Sequence, residues 1–340
     1  MMITLRLGAS DSDIALAGEI IRGGGLVAFP TETVYGLGAN ALDGAAVLKI
    51  FRAKNRPADN PLITHIADFS EIYALAAEVS PTAEMLAERF WPGPLTIVLP
   101  KTYVVPVEIS AGLSTVSIRI PSHPVALALI RAAKTPIAAP SANSSSRPSP
   151  TSAAHVLADM EGKIDAVIDG GACGIGVEST VLSLVGEVPR LLRPGGVTLE
   201  ELQKVLGEIE VDRAVREQIG ETERVSAPGM KYRHYAPKAP VVSVCGTPEN
   251  SANFIRESAS NTDGIICFDE FVPLFSSAHI RQIGSKDDPG AQARKLFDAL
   301  RSFDETDVGK IFAQCPDEKG IGLAVANRLK KASGFNIIHV

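Results

Sequence analysis

Gly23-Gly24-Gly25, then Leu26-Val27-Ala28-Phe29, then Pro30-Thr31-Glu32-Thr33-Val34-Tyr35-Gly36-Leu37-Gly38 set out a helix stop, a buried strand and a polar, glycine-bearing loop in direct succession. The glycines end a helix whose apolar positions Ile14, Ala17 and Ile21 recur at helical spacing behind the polar Ser10-Asp11-Ser12-Asp13. Hydroxyls and glycines at a strand's C-terminal end are well placed to line a ligand crevice in an α/β sheet. A plain turn reads equally well from this segment alone.

The alternation continues outward. Strands are expected at 62–66, 95–99, 116–120, 137–139, 166–168 and 180–184. Helices are expected at 81–90, with Ser80 as cap and Pro81 in first position, and at 125–133. Thr198-Leu199-Glu200-Glu201 fits a capping box opening a helix that ends near Leu206. Residues 1–207 therefore read as an α/β unit, a twisted open sheet with helices. Residues 208–240 read as a linker: 208–224 is charged, and prolines at 228, 237 and 240 disfavour a regular element. The pattern restarts in 241–340, with strands at 241–244, 264–268, 280–283 and 310–313 and helices at 249–258, 289–303 and 322–332. That is a second, smaller α/β unit of Rossmann-like character. Its Gly320-x-Gly322 lacks the rest of the dinucleotide fingerprint, so no cofactor is expected there. No fixed-period repeat is present.

The 340 residues suit about two domains. Apolar residues make up 45% and charged residues 21%, which excludes disordered, collagen-like and coiled-coil classes. No apolar run approaches the roughly 18 residues of a membrane span. The start, Met1-Met2-Ile3-Thr4-Leu5-Arg6, lacks an apolar stretch ahead of a small-residue cleavage site, so a cytoplasmic chain without signal peptide is expected. Lys and Arg number 33 against 39 Asp and Glu, a net charge of -6, so phosphate binding must be local and no strong direct nucleic-acid binding is expected. Cys173, Cys245, Cys267 and Cys315 lie far apart with no Cys-x-x-Cys pair. Reduced thiols are the expectation, not a zinc ribbon or a disulfide scaffold.

The familiar ATP loop Gly-x-x-x-x-Gly-Lys-Ser/Thr, the kinase motifs, Gly-x-Ser-x-Gly and His-Glu-x-x-His are missing, and no two histidines have metal-ligand spacing. Lys49-Ile50-Phe51-Arg52-Ala53-Lys54-Asn55-Arg56-Pro57 gathers four cations without an acid and leads into the buried strand near Leu62. A solvated helix face is one reading. A polyphosphate site is favoured, because unpaired cations beside a core element are costly unless an anion arrives. Ala138-Ala139-Pro140-Ser141-Ala142-Asn143-Ser144-Ser145-Ser146-Arg147-Pro148-Ser149-Pro150-Thr151 follows a strand and precedes a helix starting near Ser152. A phosphate-binding loop and a flexible linker fit it equally. Arg119 and Arg193 stand at strand positions and call for partners, either a substrate carboxylate or phosphate or an internal salt bridge. An RNA-binding module using the same basic cleft is the competing reading, and the net charge counts against it.

Taken together, the 30–38 segment, Lys54-x-Arg56 and Ser141-x-Asn143 resemble the YrdC-domain family, whose signature is that Lys-x-Arg with Ser-x-Asn pair. Ser117-Ile118-Arg119-Ile120-Pro121, Glu178-Ser179-Thr180 and Leu192-Arg193-Pro194-Gly195 match as well. Lys231-Tyr232-Arg233-His234-Tyr235-Ala236-Pro237 and the trailing α/β unit are similar to the family's long, two-domain form. The resemblance covers essentially the whole chain, the C-terminal unit by layout more than by residues.

It implies a nucleotidyltransferase that joins L-threonine, bicarbonate or CO2 and ATP into threonylcarbamoyl-adenylate, pyrophosphate and water. The product feeds threonylcarbamoyl-adenosine formation beside the tRNA anticodon, through a separate tRNA threonylcarbamoyl-transferase complex. By the same resemblance Lys54 and Arg56 are the catalytic pair. Arg56, Asn60, Thr115, Ser141, Asn143, Ser149, Arg193 and Tyr235 hold ATP. Thr33, His65, Arg119, the Ala139 backbone and Ser179 hold threonine, Arg119 taking its carboxylate. No metal site of the protein's own is implied; Mg2+ comes with the ATP phosphates. An enzyme of the same fold using carbamoyl phosphate ranks lower, since its zinc-finger and acylphosphatase-like modules are absent. Tyr232, Arg233, His234 and Tyr235, pinned by prolines, form an expected lid that shields the mixed anhydride from water. His65 is a base by residue type or a positional group equally well.

Overall fold

The structure, a computed structural model, describes residues 3–218 and 234–340, so Tyr232 and Arg233 of the expected lid lie outside the described residues. Two sheets form. The first comprises β1 (Leu5–Leu7), β2 (Val27–Phe29), β3 (Gly36–Asn40), β4 (Ile63–His65), β5 (Leu95–Pro100), β6 (Thr115–Arg119), β7 (Ile137–Ala138), β8 (Ala166–Ile168), β9 (Thr180–Ser183), β10 (Arg190–Arg193) and β11 (Glu210–Val211). Their order is β1-β8-β2-β3-β7-β4-β6-β5-β9-β10-β11. Parallel pairs such as β4 with β6 mix with antiparallel pairs such as β2 with β3.

Alternation along β2 sets the layers. Leu26 and Ala28 face one core, Val27 and Phe29 the other. Helices Gly44–Lys54, Pro81–Phe90, Ala153–Met160 and Leu199–Leu206 contribute to the first; Asp11–Arg22 and Pro124–Ala133 close the second. The caps read from sequence are formed: Ser80, Ser152 and Thr198 each accept from the backbone N–H three residues on, and Glu201 completes the Thr198 capping box.

β3 is invisible to propensity because Gly36-Leu37-Gly38-Ala39-Asn40 lacks β-branched residues. Packing requires its glycine: a Cβ on Gly38 would stand 2.8 Å from Ile137 Cγ2 and 2.9 Å from Phe29 Cε1. The sheet also runs beyond residue 207. Glu210 and Val211 pair with Arg190 and Leu191, so the start of the segment read as linker is a sheet edge.

The second sheet comprises β12 (Val241–Cys245), β13 (Gly264–Cys267), β14 (His279–Gln282), β15 (Ile311–Gln314) and β16 (Ile337–His339), all paired parallel in the order β14-β13-β15-β12-β16. Helices Pro248–Ser258, Pro289–Ser302 and Gly322–Ala332 connect it. Relative to the dinucleotide-binding order, the first and fourth strands exchange places.

The expectation of reduced thiols fails at Cys245 and Cys315, which form a disulfide with Cα atoms 4.9 Å apart. Val244 and Gln314 are register partners, so the next residue on each strand stands beside the other despite 70 positions of separation. Cys173 and Cys267 are free and buried.

The two units share packing. Val34, Val177 and Tyr235 belong to the core of the second unit. Gly176, at φ +86°, lies where a Cβ would be 2.4 Å from the Ala293 carbonyl oxygen, so only glycine permits that approach. Arg147 and Arg301, one from each unit, both donate to Asp159, at 2.7 and 2.8 Å. No helix among the described residues is long and apolar enough to cross a membrane.

Candidate active site

The cleft begins where the Phe29 core ends, with the Phe29 ring edge-on to His65 at 6.3 Å. His65 and Arg119 are register partners on parallel β4 and β6, so their side chains leave the same sheet face. The floor therefore lies at the C-terminal ends of β4 and β6, and the loop at 30–38 joins it there through Thr31, Thr33, Val34 and Gly36. Thr33, Lys54, Arg56, His65, Arg119, Ala139, Ser141, Asn143, Ser179, Arg193 and Tyr235 line this one cleft.

Three expected nucleotide residues do not line it. Ser149 stands one layer back, its hydroxyl donating to Glu178 at 2.5 Å. Asn60 is buried and offers its carbonyl to Arg56. Thr115 begins β6, at the opposite end of the strand from Arg119, and pairs with Pro100.

The cation run splits between its two readings. Lys49 and Arg52 are exposed, as on a solvated helix face. Lys54 continues the buried stripe Val47, Ile50 and Phe51 to the end of the helix. Asn55, left-handed at φ 51°, then turns the chain so that Arg56 also meets the cleft. The Lys54 ammonium is 1% exposed and donates to the carbonyls of Ser141 and Asn143, with Asn143 Oδ1 at 3.4 Å. Burial, with Arg56 nearby, pushes its pKa well below the usual lysine value.

The Ser141 loop is not a flexible linker. Ala142 N donates to Tyr35 O at 2.8 Å and Ser145 N to Lys54 O at 2.8 Å. The Asn143 amide donates to the carbonyls of Ser144 and Arg147, each at 2.9 Å.

Among the residues expected to hold threonine, Arg119 makes the internal salt bridge that was one of its two readings. It lines the cleft, and it makes an internal ion pair: Nη2 donates to Glu32 Oε1 at 2.6 Å, Nη1 to Thr33 Oγ1 at 3.0 Å and Nε to Gly93 O at 3.1 Å. His65 Nδ1 has no hydrogen-bond partner among the described residues. Burial, with the Arg119 charge second, pushes the imidazole down to about 3. At neutral pH it is an uncharged hydrogen-bonding group.

A stability consequence follows. Between pH 6.5 and about 3 the unfolded chain protonates this histidine and the folded chain does not. Stability therefore falls as pH falls, at up to about 1.4 kcal/mol per pH unit. His65→Gln is expected to remove that slope, read from urea midpoints between pH 6.5 and 4; an unchanged slope would reject the assignment.

On the nucleotide side, Arg193 donates from Nε to Ser179 O at 3.0 Å and from Nη2 to Ser179 Oγ at 3.1 Å. Glu178 is the single carboxylate among the described residues lining the cleft. Burial raises its pKa, but Arg328 and Arg193 outweigh that and bring it to about 2. The Tyr235 ring lies 5.2 Å from Phe297, and the Ala236 N–H donates to Ser146 O at 2.8 Å, so this end of the lid segment is fastened to the second unit and to the loop. Arg56 Nε and Ser145 Oγ, both in the lining, are buried without a hydrogen-bond partner among the described residues.

Thr31, Ser145, Ser146, Arg147, Glu178 and His234 also line the cleft. All stand in quoted motifs; His234 belongs to the expected lid, and the others carried no individual site assignment. Among the described residues no group of three or more His, Cys, Asp or Glu is placed to hold a metal.

A family model described as telomere recombination, that of the Sua5, YciO and YrdC proteins, matches residues 19–195. A second, described as the C-terminal domain of threonylcarbamoyl-AMP synthase, matches residues 197–334. The threonylcarbamoyl-AMP synthase of Pyrococcus abyssi is 51% identical, over 100% of this chain and 99% of the relative. That of Bacillus subtilis is 48% identical, over 99% and 97%. The crystal structure of P. abyssi Sua5 complexed with L-threonine superposes with a TM-score of 0.89 at 50% identity, covering 100% of this chain and 99% of that one. The chain belongs to the Sua5/YciO/YrdC family, in the form that carries the Sua5 C-terminal domain.

Proposed function

We propose that this cleft joins L-threonine, CO2 or bicarbonate, and ATP into threonylcarbamoyl-AMP, the product that the name of its relatives gives. The observation that carries the reading is the pairing of two subsites in one cleft. Arg119, Thr33 and His65 offer a cation, a hydroxyl and a neutral imidazole to an amino acid; Lys54, Arg56 and Arg193 offer positive charge to phosphates. The neutral amine of threonine adds to CO2, forming a C–N bond, and releases one proton to solvent to leave a carbamate. A carbamate oxygen then forms a bond to the α-phosphorus as the bond to pyrophosphate breaks; if bicarbonate enters, one water leaves.

Charge grows on the departing pyrophosphate, so fixed cations in a dehydrated cleft lower the barrier more than they stabilise ATP itself. Arg56 remains charged there although burial lowers its pKa to about 10. Mg2+ enters as the counter-ion of substrate ATP, because Glu178 is already committed to Arg328 and Ser149. Tyr235 screens the anhydride from water along one side of the cleft. The placing of buried Lys54 and half-buried Arg56 in the cleft lining also disfavours RNA binding on a basic surface. The product passes in the cytoplasm to a separate transferase complex acting on tRNA.

The test is pyrophosphate release from ATP with threonine and bicarbonate omitted in turn. Release is expected to require both; release that ignores either one would reject this function.

A further inference from the structure

We infer that Arg328, contributed by the second α/β unit, is a positioning residue for the nucleotide half of the cleft, acting through Glu178, Pro194 and Tyr235. The inference rests on the function proposed above.

Helix Gly322–Ala332 buries an apolar stripe that includes Ala324, Val325, Leu329 and Ala332. Arg328 sits on that stripe, four residues from both Ala324 and Ala332, and is 0% exposed. A lone guanidinium there would be prohibitive. Instead, Nε donates to Glu178 Oε2 at 2.7 Å, Nη2 to Pro194 O at 3.1 Å and Nη1 to Asn327 Oδ1 at 2.8 Å. The guanidinium carbon lies 5.4 Å from the Tyr235 ring centroid.

Each contact that crosses to the rest of the chain lands on a cleft residue or its neighbour. Glu178 and Tyr235 line the cleft; Glu178 precedes Ser179, and Pro194 follows Arg193. Arg193 in turn grips Ser179. One arginine therefore spans the two segments that carry Ser179 and Arg193 and touches the ring that borders them.

Docking alone does not call for this group. Val34, Val177 and the Gly176 approach to Ala293 already join the units by apolar packing and close contact. Compared with apolar packing, a buried ion pair contributes little net stability, but its directed bonds fix geometry. The second unit, whose sequence shows no chemistry, thereby completes the site.

The test uses the full chain with Arg328→Met, Arg328→Lys and the double variant Glu178→Gln/Arg328→Met. Readouts are the kinetics of pyrophosphate release for ATP and threonine separately, calorimetric binding of a non-hydrolysable ATP analogue, and the thermal midpoint. Arg328→Met is expected to lower kcat/KM for ATP and analogue affinity about tenfold to a hundredfold, while the threonine KM moves no more than about threefold. Arg328→Lys should fall between, keeping the charge at Glu178 but not the simultaneous reach to Pro194. The double variant removes both buried charges, so its midpoint should return toward wild type while the ATP kinetics stay impaired.

Wild-type ATP kinetics and analogue affinity in Arg328→Met would overturn the inference. So would equal losses for both substrates, or a double variant that regains activity along with its midpoint. If Arg328→Met fails to fold, Arg328→Lys and the double variant decide by the same criteria. A wild-type protein that releases no threonine-dependent pyrophosphate would reject the proposed function, and analogue affinity would still decide the role of Arg328.

Discussion

Lys54→Met lowers kcat/KM for ATP by about a thousandfold or more, on the scale of losing a preorganised charged donor, and lowers the unfolding midpoint as well. The side chain holds two carbonyls of the Ser141–Asn143 loop from beneath, with Asn143 Oδ1 at the edge of reach. Methionine fills similar volume and offers no donor. The stranded carbonyls cost about 1–3 kcal/mol each if the loop stays put. If it moves to find water, Ser141 and Asn143 leave the cleft with it. Either way the cleft loses the Lys54 amine. Lys54→Arg is expected to fail too, because a planar fork does not fit where a compact ammonium meets oxygens of two residues. Pyrophosphate release and thermal melts check this together. Near-normal turnover would show that neither the charge nor the loop matters.

That result bears on how far the sequence could be read. The Lys-x-Arg and Ser-x-Asn pairs were legible as members of one site through the family resemblance; the residues alone favoured an anion site at the four cations and left the Ser141 segment equally a linker or a loop. Which cations mattered was not legible in the run itself. It follows from helical phase: Lys54 lies on the stripe of Val47 and Ile50, whereas Lys49 and Arg52 do not. Strands with apolar runs were readable; β3 was not, because its glycines serve its neighbours and not its own propensity. Register likewise hid the Cys245–Cys315 pair, since parallel strands join residues that spacing separates. Arg328 left one trace, a charge on an apolar stripe between Ala324 and Ala332, though nothing in the sequence could say that its partner is Glu178.

Arg119→Met is expected to abolish threonine-dependent turnover, by about a thousandfold or more, through loss of the cation proposed above for the amino-acid subsite. It has a second effect with a different cause. Glu32, whose side chain is 13% exposed, loses the guanidinium 2.6 Å away. In the intact protein burial raises the Glu32 pKa, but the charge and hydrogen bond of Arg119 outweigh it and leave the carboxyl below its usual value. Without Arg119 only the backbone hydrogen bonds at Glu32 and Ser122 still oppose burial, the largest influence, and the pKa rises. A buried, unpaired carboxylate costs about 3–5 kcal/mol near neutral pH.

The sign of the pH response follows. A raised folded pKa contributes stability below the unfolded value and loses it as pH rises through the folded one. The wild-type pair behaves oppositely, losing its contribution as pH falls. The gap between Arg119→Met and wild type should therefore narrow from pH 7 toward pH 4. Glu32→Gln/Arg119→Met removes both charges and should recover most of the stability at pH 7 while threonine use stays lost. Urea midpoints across that pH range, with threonine-dependent pyrophosphate release, separate the two effects. A gap that is constant with pH would show that Glu32 does not depend on Arg119, and a double variant that uses threonine normally would show that Arg119 serves only to neutralise Glu32.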